Sequence, residues 1–234
     1  MVITIGEIHY QACGSLLHSV QTGSPAFNSV FGASLFDYLQ QNVDAADTFN
    51  QGMANVSPML AYAVLMAYDF AGISSIVDVG GGQGKLLEKI LQFNPDITGT
   101  GRSREQSKAL ATMQEQTLLL RYRRLLQLGS TRSRRLPFMR GVIHDWDDPR
   151  AIRILRNCRR AMAWKGRVLI VDMVVPDTDA MSFSKFLDLN MLAMTGGRER
   201  TKAEFHALLD AADYKLTRII PTVAPQSVIE AFTK

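Results

Sequence analysis

Four places in the chain carry residue types that can do chemistry. A β-branched run, Ser75-Ile76-Val77-Asp78-Val79, ends in Gly80-Gly81-Gly82-Gln83-Gly84 and leads straight into an apolar-periodic segment. Glycines there let the backbone pass close to a ligand and take positive φ, and a helix start offers free amides to an anionic group. The spacing excludes a Walker loop, which needs a Gly-Lys-Ser/Thr ending, and fits the dinucleotide fingerprint only loosely through Gly80, Gly82 and Lys85. His144, in Gly141-Val142-Ile143-His144-Asp145-Trp146-Asp147-Asp148, follows a candidate strand. A histidine at a strand's carboxyl end can accept a proton from a hydroxyl near neutral pH. Two acids stand where they could assist it: Asp172 at the end of the strongest strand, and Glu199 in the loop Gly196-Gly197-Arg198-Glu199-Arg200. A carboxylate beside an imidazole orients it and stabilises its cation.

Each feature also has a bland reading. The glycines could form a tight turn without a ligand, although four in five positions exceed what a turn requires. His144 could be a hydrogen-bonded packing residue, Asp172 a solvent contact and Glu199 an ordinary loop charge. His9, His18 and His206 lack any comparable company and read as surface or core residues. Asp145, Asp147 and Asp148 read as loop-solvating residues, with Asp148 at or near a helix cap.

The elements that must position these residues follow from periodicity. Residues 7–70 read as helical, with apolar residues at three- and four-residue spacing. Within them 53–68 forms an apolar helix, Pro58 in its first turn and Ser57 as its cap. From residue 75 strands and helices alternate: strand 75–79, helix 85–93, a weak strand 96–100, a helical pattern over 103–128, and a strand 136–143 that Pro137 places at an edge or start. Then come helix 150–163, strand 168–171, helix 181–194 and helix 201–212, the last opened by a capping-box pair, Thr201 and Glu204. Segments 216–222 and 227–232 close the chain as an antiparallel pair. The alternation predicts an α/β fold, a Rossmann-like parallel sheet with helices on both faces, after a helical N-terminal segment. Residues 1–70 form that segment and 71–234 the sheet domain.

Composition narrows the classes. The chain has 234 residues, 47% of them hydrophobic, enough for one well-filled core. No apolar run approaches the ~20 residues of a membrane span, and the N-terminus makes a poor signal peptide, so a soluble cytoplasmic protein is the default. Cys13 and Cys158 lie far apart without metal-ligand spacing and read as reduced thiols; no metal is expected. Residues 102–140 hold ten basic and two acidic residues, a charge of +8, while the remainder carries −4. The basic balance thus belongs to one segment. As a nucleic-acid strip it is poor: only Tyr122 and Phe138 interleave the arginines over 121–140.

Together, Val77–Gly84, Val142–Asp148 and Gly197–Thr201 resemble the small-molecule O-methyltransferases that include plant caffeate and flavonoid enzymes and bacterial polyketide-tailoring enzymes. Leu17–Gly23 with Pro25-Ala26-Phe27, and Arg153–Cys158, look like further segments of that family. The resemblance covers about residues 7–100 and 141–234. It implies a class I methyltransferase sheet with S-adenosylmethionine at the glycine turn, held by Asp78, Gly80, Gly81, Gly82 and Gly84, with Ser57 added to that set. It implies that His144 is the general base for a hydroxyl of a small aromatic or polyketide-like acceptor, and that Asp172 and Glu199 hold the histidine. Met53, Met191 and Met194 are candidate pocket-lining residues.

The sequence departs from the family in two places. Relatives carry an N-terminal winged-helix dimerisation domain of roughly one hundred residues, and this sequence begins after most of it, which puts the family's homodimer in doubt. After the second strand the family has a ribose-holding acid and an adenine-contacting segment. Thr98–Arg104 offers no acid, Glu105 is a poor candidate, and 110–140 lacks the adenine segment. This is the stretch of foreign charge, as a frame-shifted segment would be. Two alternatives stay open: an inactive relative with impaired cofactor binding, and a nucleic-acid-binding methyltransferase using the basic strip.

Overall fold

In the computed structural model, residues 2–82, 84–100, 135–162 and 166–234 are described. The helical pattern of 103–128 and the basic strip up to 134 therefore lie outside the described residues.

The N-terminal part is built from α1 (Val2–Gly14), α2 (Leu16–Thr22), α3 (Ala26–Phe31), α4 (Leu35–Gln41) and α5 (Val43–Ala67). The breaks between them are local. Gly23 and Gly32 close α2 and α3 at φ +70, a left-handed cap that glycine takes without a Cβ penalty. The Ser34 hydroxyl caps α4 by accepting from the Asp37 amide at 3.2 Å. Ile8, Ala12, Phe27, Leu35, Leu39 and Ala46 form a small core of their own with Met194. The Phe27 ring lies 4.4 Å from Phe31 and 5.6 Å from Tyr38, centroid to centroid.

One expectation is corrected here. α5 is continuous from Val43 to Ala67, so Pro58 sits inside the helix and Ser57 does not cap it. A proline in a helix interior forfeits one backbone hydrogen bond. Ala46 is buried on one side of Pro58 and Leu60, Ala61 and Val64 on the other, and this apolar burial holds the helix together while Pro58 faces solvent.

The sheet contains β1 (Ser75–Val79), β2 (Thr98–Thr100), β3 (Arg135–Arg140), β4 (Arg167–Val175), β6 (Tyr214–Pro221) and β7 (Gln226–Thr233), in the order β2-β1-β3-β4-β7-β6. The short β5 (Arg200–Thr201) pairs with the end of β4. β1 to β4 run parallel, and β7 and β6 are antiparallel additions, as the two closing strand patterns require. Helix α6 (Lys85–Phe93) follows β1, α7 (Asp148–Arg160) follows β3, α8 (Phe183–Met194) follows β4, and α9 (Lys202–Ala211) precedes β6. β3 is an interior strand, so of the two placements that Pro137 allowed, edge or start, the structure takes the start. The proline is tolerated because it lies near the strand's start: pairing to β4 begins only at Phe138↔Leu169.

Alternation along the strands supplies both faces. Ile76, Phe138, Leu169 and Val171 pack against α5 and α6 through Leu60, Val64, Leu86, Leu87 and Ile90. Val77, Val79, Met139, Val168 and Ile170 pack against α7 and α9 through Ala151, Leu155, Cys158, Phe205 and Leu209. Each fully buried large side chain contributes about 1.5–3 kcal/mol. Helices thus cover both faces, as predicted. Chain order reverses at β1, with β2 on one side and β3 on the other, which leaves a crevice at the carboxyl ends of β1 and β3. Among the described residues, no helix is long and apolar enough to cross a membrane.

Candidate active site

The glycine turn and His144 leave the sheet on the same rim. Val79 of β1 pairs with Met139 of β3, and just beyond that rung the chain turns, one residue on at Gly80 in one strand and two residues on at Gly141 in the other. Gly80 takes φ +71, and a Cβ there would stand 2.7 Å from a Val142 methyl, so the two turns touch. A Cβ on Gly81 would overlap the carboxylate of Asp78. The acid therefore lies directly under the turn, and only glycine leaves it that space. Gly82, at φ +56, faces open space. Gly84, at φ +71, begins α6 without a side-chain cap. Bare backbone over a buried carboxylate, next to an uncapped helix start, suits a ligand with both cationic and anionic groups. Burial raises the Asp78 carboxyl to about 7, against the opposing charge of Arg140.

Gln83 and the Ser57 side chain lie outside the described residues. The 98–100 stretch of β2 carries no carboxylate, as the sequence predicts.

His144 sits in a 3-10 turn, Ile143–Asp145, just after β3. Its Nδ1 is 2.6 Å from Glu199 Oε1. A carboxylate only accepts, so Nδ1 carries the hydrogen and Nε2 is the basic nitrogen of the neutral ring. Nε2 faces Gly141, where a Cβ would come within 3.4 Å, and stands 3.8 Å from Asp145 Oδ1. Asp172 approaches from the neighbouring strand, and its Oδ1 accepts from the Gly141 amide at 3.0 Å.

Asp172 and Glu199 are each only 2% exposed, so neither is the solvent contact or loop charge of the bland reading. Asp172 lies inside β4, three residues before its end. Of the two carboxylates, Asp172 Oδ2 and Glu199 Oε2 are buried without a hydrogen-bond partner among the described residues. Burial by itself would lower the His144 pKa. Asp172, the Glu199 hydrogen bond and Asp145 outweigh it and lift the ring to about 10. Burial raises Asp172 to about 7, against the pull of His144.

The surroundings explain how Glu199 reaches a histidine 55 residues earlier. Arg200 is 1% exposed and clamps the histidine turn. Its guanidinium donates to the carbonyls of Ile143 at 3.1 Å and Trp146 at 2.9 Å, and to Asp148 Oδ1 at 2.7 Å. The Arg198 amide donates to the His144 carbonyl at 2.8 Å. A Cβ on Gly197 would collide with that carbonyl. The Glu199 amide donates to Asp188 of α8 at 2.8 Å.

Sequence reasoning missed Arg200 and Gly197 as structural clamps, although both lie within the quoted Gly197–Thr201 motif. It also missed Arg140, whose charge acts on Asp172 and on Asp78. Asp145, expected to solvate a loop, instead acts on His144. The cap of α7 is Asp147, which accepts from the Arg150 amide at 2.9 Å, while Asp148 serves Arg200. Met191 and Met194 are core residues, 8% and 1% exposed. Among the described residues no cluster of histidine, cysteine and acids could hold a metal ion.

Residues 14–215 match the model of the O-methyltransferase domain. The chain belongs to that family. It is 36% identical to a phenazine O-methyltransferase of Lysobacter antibioticus over 97% of its own length and 68% of that protein's. It is 33% identical to a mitomycin biosynthesis 6-O-methyltransferase of Streptomyces lavendulae, over 95% of its length and 65% of the relative's. It therefore spans about two thirds of these relatives. Among solved structures, a mitomycin 7-O-methyltransferase superposes with TM-score 0.82 at 31% identity, over 97% of this chain and 68% of that one. A methyltransferase of calicheamicin biosynthesis in an SAH-bound form superposes with TM-score 0.79 at 27% identity, over 100% and 71%. The fold is that of the class I methyltransferases, and the family's cofactor is S-adenosylmethionine.

Proposed function

We propose that this chain transfers a methyl group from S-adenosylmethionine to the hydroxyl of a small aromatic or polyketide-like acceptor, with His144 as general base. The observation that carries this is the 2.6 Å contact of His144 Nδ1 with Glu199, which leaves Nε2 as the ring's basic nitrogen on the same rim as the glycine turn. The names of the relatives, which act on phenazine and mitomycin compounds, support an acceptor of this class.

The glycine turn, with Asp78 beneath it and Gly80, Gly81, Gly82 and Gly84 forming its backbone, would hold the cofactor. S-adenosylmethionine supplies an electrophilic methyl group on a sulfonium. The chain's own work is alignment and removal of one proton. Nε2 takes the hydroxyl proton, the oxygen's freed electron pair forms the new C–O bond, and the methyl–sulfur bond breaks with its electrons left on sulfur. Glu199 holds the ring by Nδ1, and Asp172 and Asp145 stabilise the imidazolium that results. Because the ring is a stronger base than an ordinary histidine, its neutral form grows as pH rises. The rate rises with it.

Calorimetric titration with S-adenosylmethionine, with mass detection of methylated product from an aromatic hydroxyl panel, tests the reading. Saturable submillimolar binding and a methylated product are expected. Gly81→Ala drives a methyl group into the Asp78 carboxylate and is expected to weaken cofactor binding at least tenfold. No binding by the wild-type chain at millimolar cofactor would sink the proposal and favour an inactive relative, consistent with the absence of a carboxylate at 98–100.

A further inference from the structure

Arg200 ties the histidine turn to the Glu199 loop, but it grips backbone carbonyls and does not touch the imidazole. The turn itself has little stiffness. It is a single 3-10 turn, Ile143–Asp145, closed by two backbone bonds. The Asp145 amide donates to the Val142 carbonyl and the Trp146 amide to the Ile143 carbonyl, both at 3.3 Å. Such bonds ordinarily close at about 2.9–3.0 Å, and 3-10 geometry is poorer than that of an α-helix. The Glu199 loop is no stiffer at its start, where Gly196 takes φ +73 beside Gly197. Segments of this kind take their shape from what packs on them.

The N-terminal helices pack on both. Phe36 of α4 lays its ring on Trp146, two residues past His144, with centroids 6.1 Å apart and planes inclined by 23°. This is an offset stack, a preferred arrangement of aromatic pairs. The Arg150 guanidinium of α7 stands 6.0 Å from the same indole ring. On the loop side, a Cβ on Gly196 would come within 3.0 Å of Pro25, the residue that precedes α3. Met194, two residues before Gly196, belongs to the N-terminal core together with Leu35 and Leu39 of α4. Trp146 packs against the sheet core. The Phe36–Trp146 stack thus joins the two cores at the turn that carries His144.

From this contact we infer that Phe36 is a positioning residue for the His144–Glu199 pair: its ring on Trp146 fixes the turn that aims Nδ1 at Glu199. The N-terminal helical part then serves the chemistry without touching a ligand. A leucine at 36 keeps the apolar bulk but offers the indole no flat face. The turn is then left to its long backbone bonds and the Arg200 clamp, and the 2.6 Å contact opens. Among the described residues three carboxylates face the imidazole: Asp172 from β4, Asp145 from the turn and Glu199 from the loop. Of these, Glu199 makes the hydrogen bond at Nδ1, and hydrogen bonds weaken steeply with angle. Its share therefore reports the ring's orientation. The inference rests on the proposed role of the pair, but its test reads the imidazole itself and needs no methyl transfer.

The readout is the ring titration of His144, followed by 15N NMR of the whole chain, with His144→Ala identifying its signal. In the wild type the ring is expected to keep its proton up to about 10, because burial, which lowers the pKa, is outweighed by Asp172, the Glu199 bond and Asp145. Phe36→Leu is expected to lower that midpoint by about one pH unit, within the range for losing a close opposite charge. Phe36→Tyr keeps the ring and is expected to hold the wild-type midpoint. Phe70→Leu removes a ring from the Tyr68–Phe70 pair at the other end of the strands, reports any general loosening, and is expected to leave the midpoint in place. A Phe36→Leu midpoint equal to the wild type, a Phe36→Tyr midpoint as low as that of Phe36→Leu, or an equal fall in Phe70→Leu would each overturn the inference. Should Phe36→Leu fail to fold, Trp146→Leu removes the other ring of the stack and is judged by the same criterion. A wild-type His144 that titrates near the ordinary value of about 6.5 would remove the pair itself and the inference with it, and that failure shows before any residue of the stack is changed.

Discussion

Among the described residues, one buried charge cluster lies toward each end of the parallel strands, and the two are completed to different degrees. Toward the amino end, Glu230 of β7 accepts from the Tyr68 hydroxyl at 2.5 Å, from Arg218 at 3.0 Å through each of its oxygens, and from Thr217 at 3.0 Å. Arg167 adds a hydrogen bond to the Tyr68 oxygen at 3.1 Å. One carboxylate thus meets two guanidiniums and two hydroxyls, and neither of its oxygens is left over. Burial and then the Glu230 hydrogen bond push the Tyr68 hydroxyl up to about 12, so it stays a donor. At the carboxyl end, three carboxylates surround one imidazole, and two of their oxygens have no donor among the described residues. A finished polar network contributes to a single well-packed fold. One whose oxygens lack donors among the described residues contributes less to the fold and more to the charge around the imidazole. The amino-end cluster ties the end of α5 to β6 and β7; the rim cluster gathers its charge around the proposed general base.

Four measurements would break or sharpen that contrast. The largest effect is expected from His144→Ala, which should lower methyl transfer by about 10²–10⁴-fold, the usual weight of a general base, while cofactor binding persists in calorimetry. Unchanged turnover would remove His144 from the mechanism. Glu230→Ala should do the reverse. It leaves a buried phenol and two arginines without their acceptor and should cost about 1–3 kcal/mol in urea unfolding, reduced from a fully buried pair because Arg218 is largely exposed. Turnover per folded molecule should hold, and a loss of turnover at full stability would show that the two ends are coupled.

The third measurement is the pH profile. The His144 pKa is raised by its acids, so the rate should keep climbing with pH above the ordinary histidine value, along a limb that extends toward about 10. Asp145→Asn removes one of the charges that hold the imidazolium. It should move that limb to lower pH, by about one unit, in log kcat against pH. A limb that stays in place would mean that His144 does not set the profile. The smallest effect is expected in the stability of Asp172→Asn. Because that carboxylate carries an oxygen with no donor among the described residues, its loss should change unfolding free energy by less than about 1 kcal/mol. A cost as large as that of Glu230→Ala would mean that the rim cluster supports the fold as the amino-end cluster does.

Much of the framework could be read from local pattern. Helix 85–93 has the predicted bounds, because Leu86, Leu87 and Ile90 recur on one face and the glycines stop the strand before it. The capping box of α9 is present, with the Thr201 hydroxyl accepting from the Glu204 amide and the Glu204 carboxylate from the Thr201 amide. These are short-range effects, settled within one turn of chain. Pro58 was misplaced because its tolerance inside α5 depends on apolar contacts made by residues on both sides of it, which spacing does not reveal. Asp145 was read as a loop charge because a run of three acids in a loop looks solvated until a histidine is folded over it.

Sequence alone determined the glycine turn, the histidine after the third strand, the acids at 172 and 199, and the alternation that sets them on one rim. Backbone conformation and strand direction follow from neighbours in the chain. Only the tertiary structure decided that Glu199 holds Nδ1, that Arg200 clamps the turn from inside, that Arg140 acts on both Asp78 and Asp172, and that two carboxylate oxygens are left without donors among the described residues. Those outcomes depend on which charges the packing desolvates together, across separations such as the 55 residues between His144 and Glu199. A charged residue's type carries no record of whether the folded chain will bring it a partner.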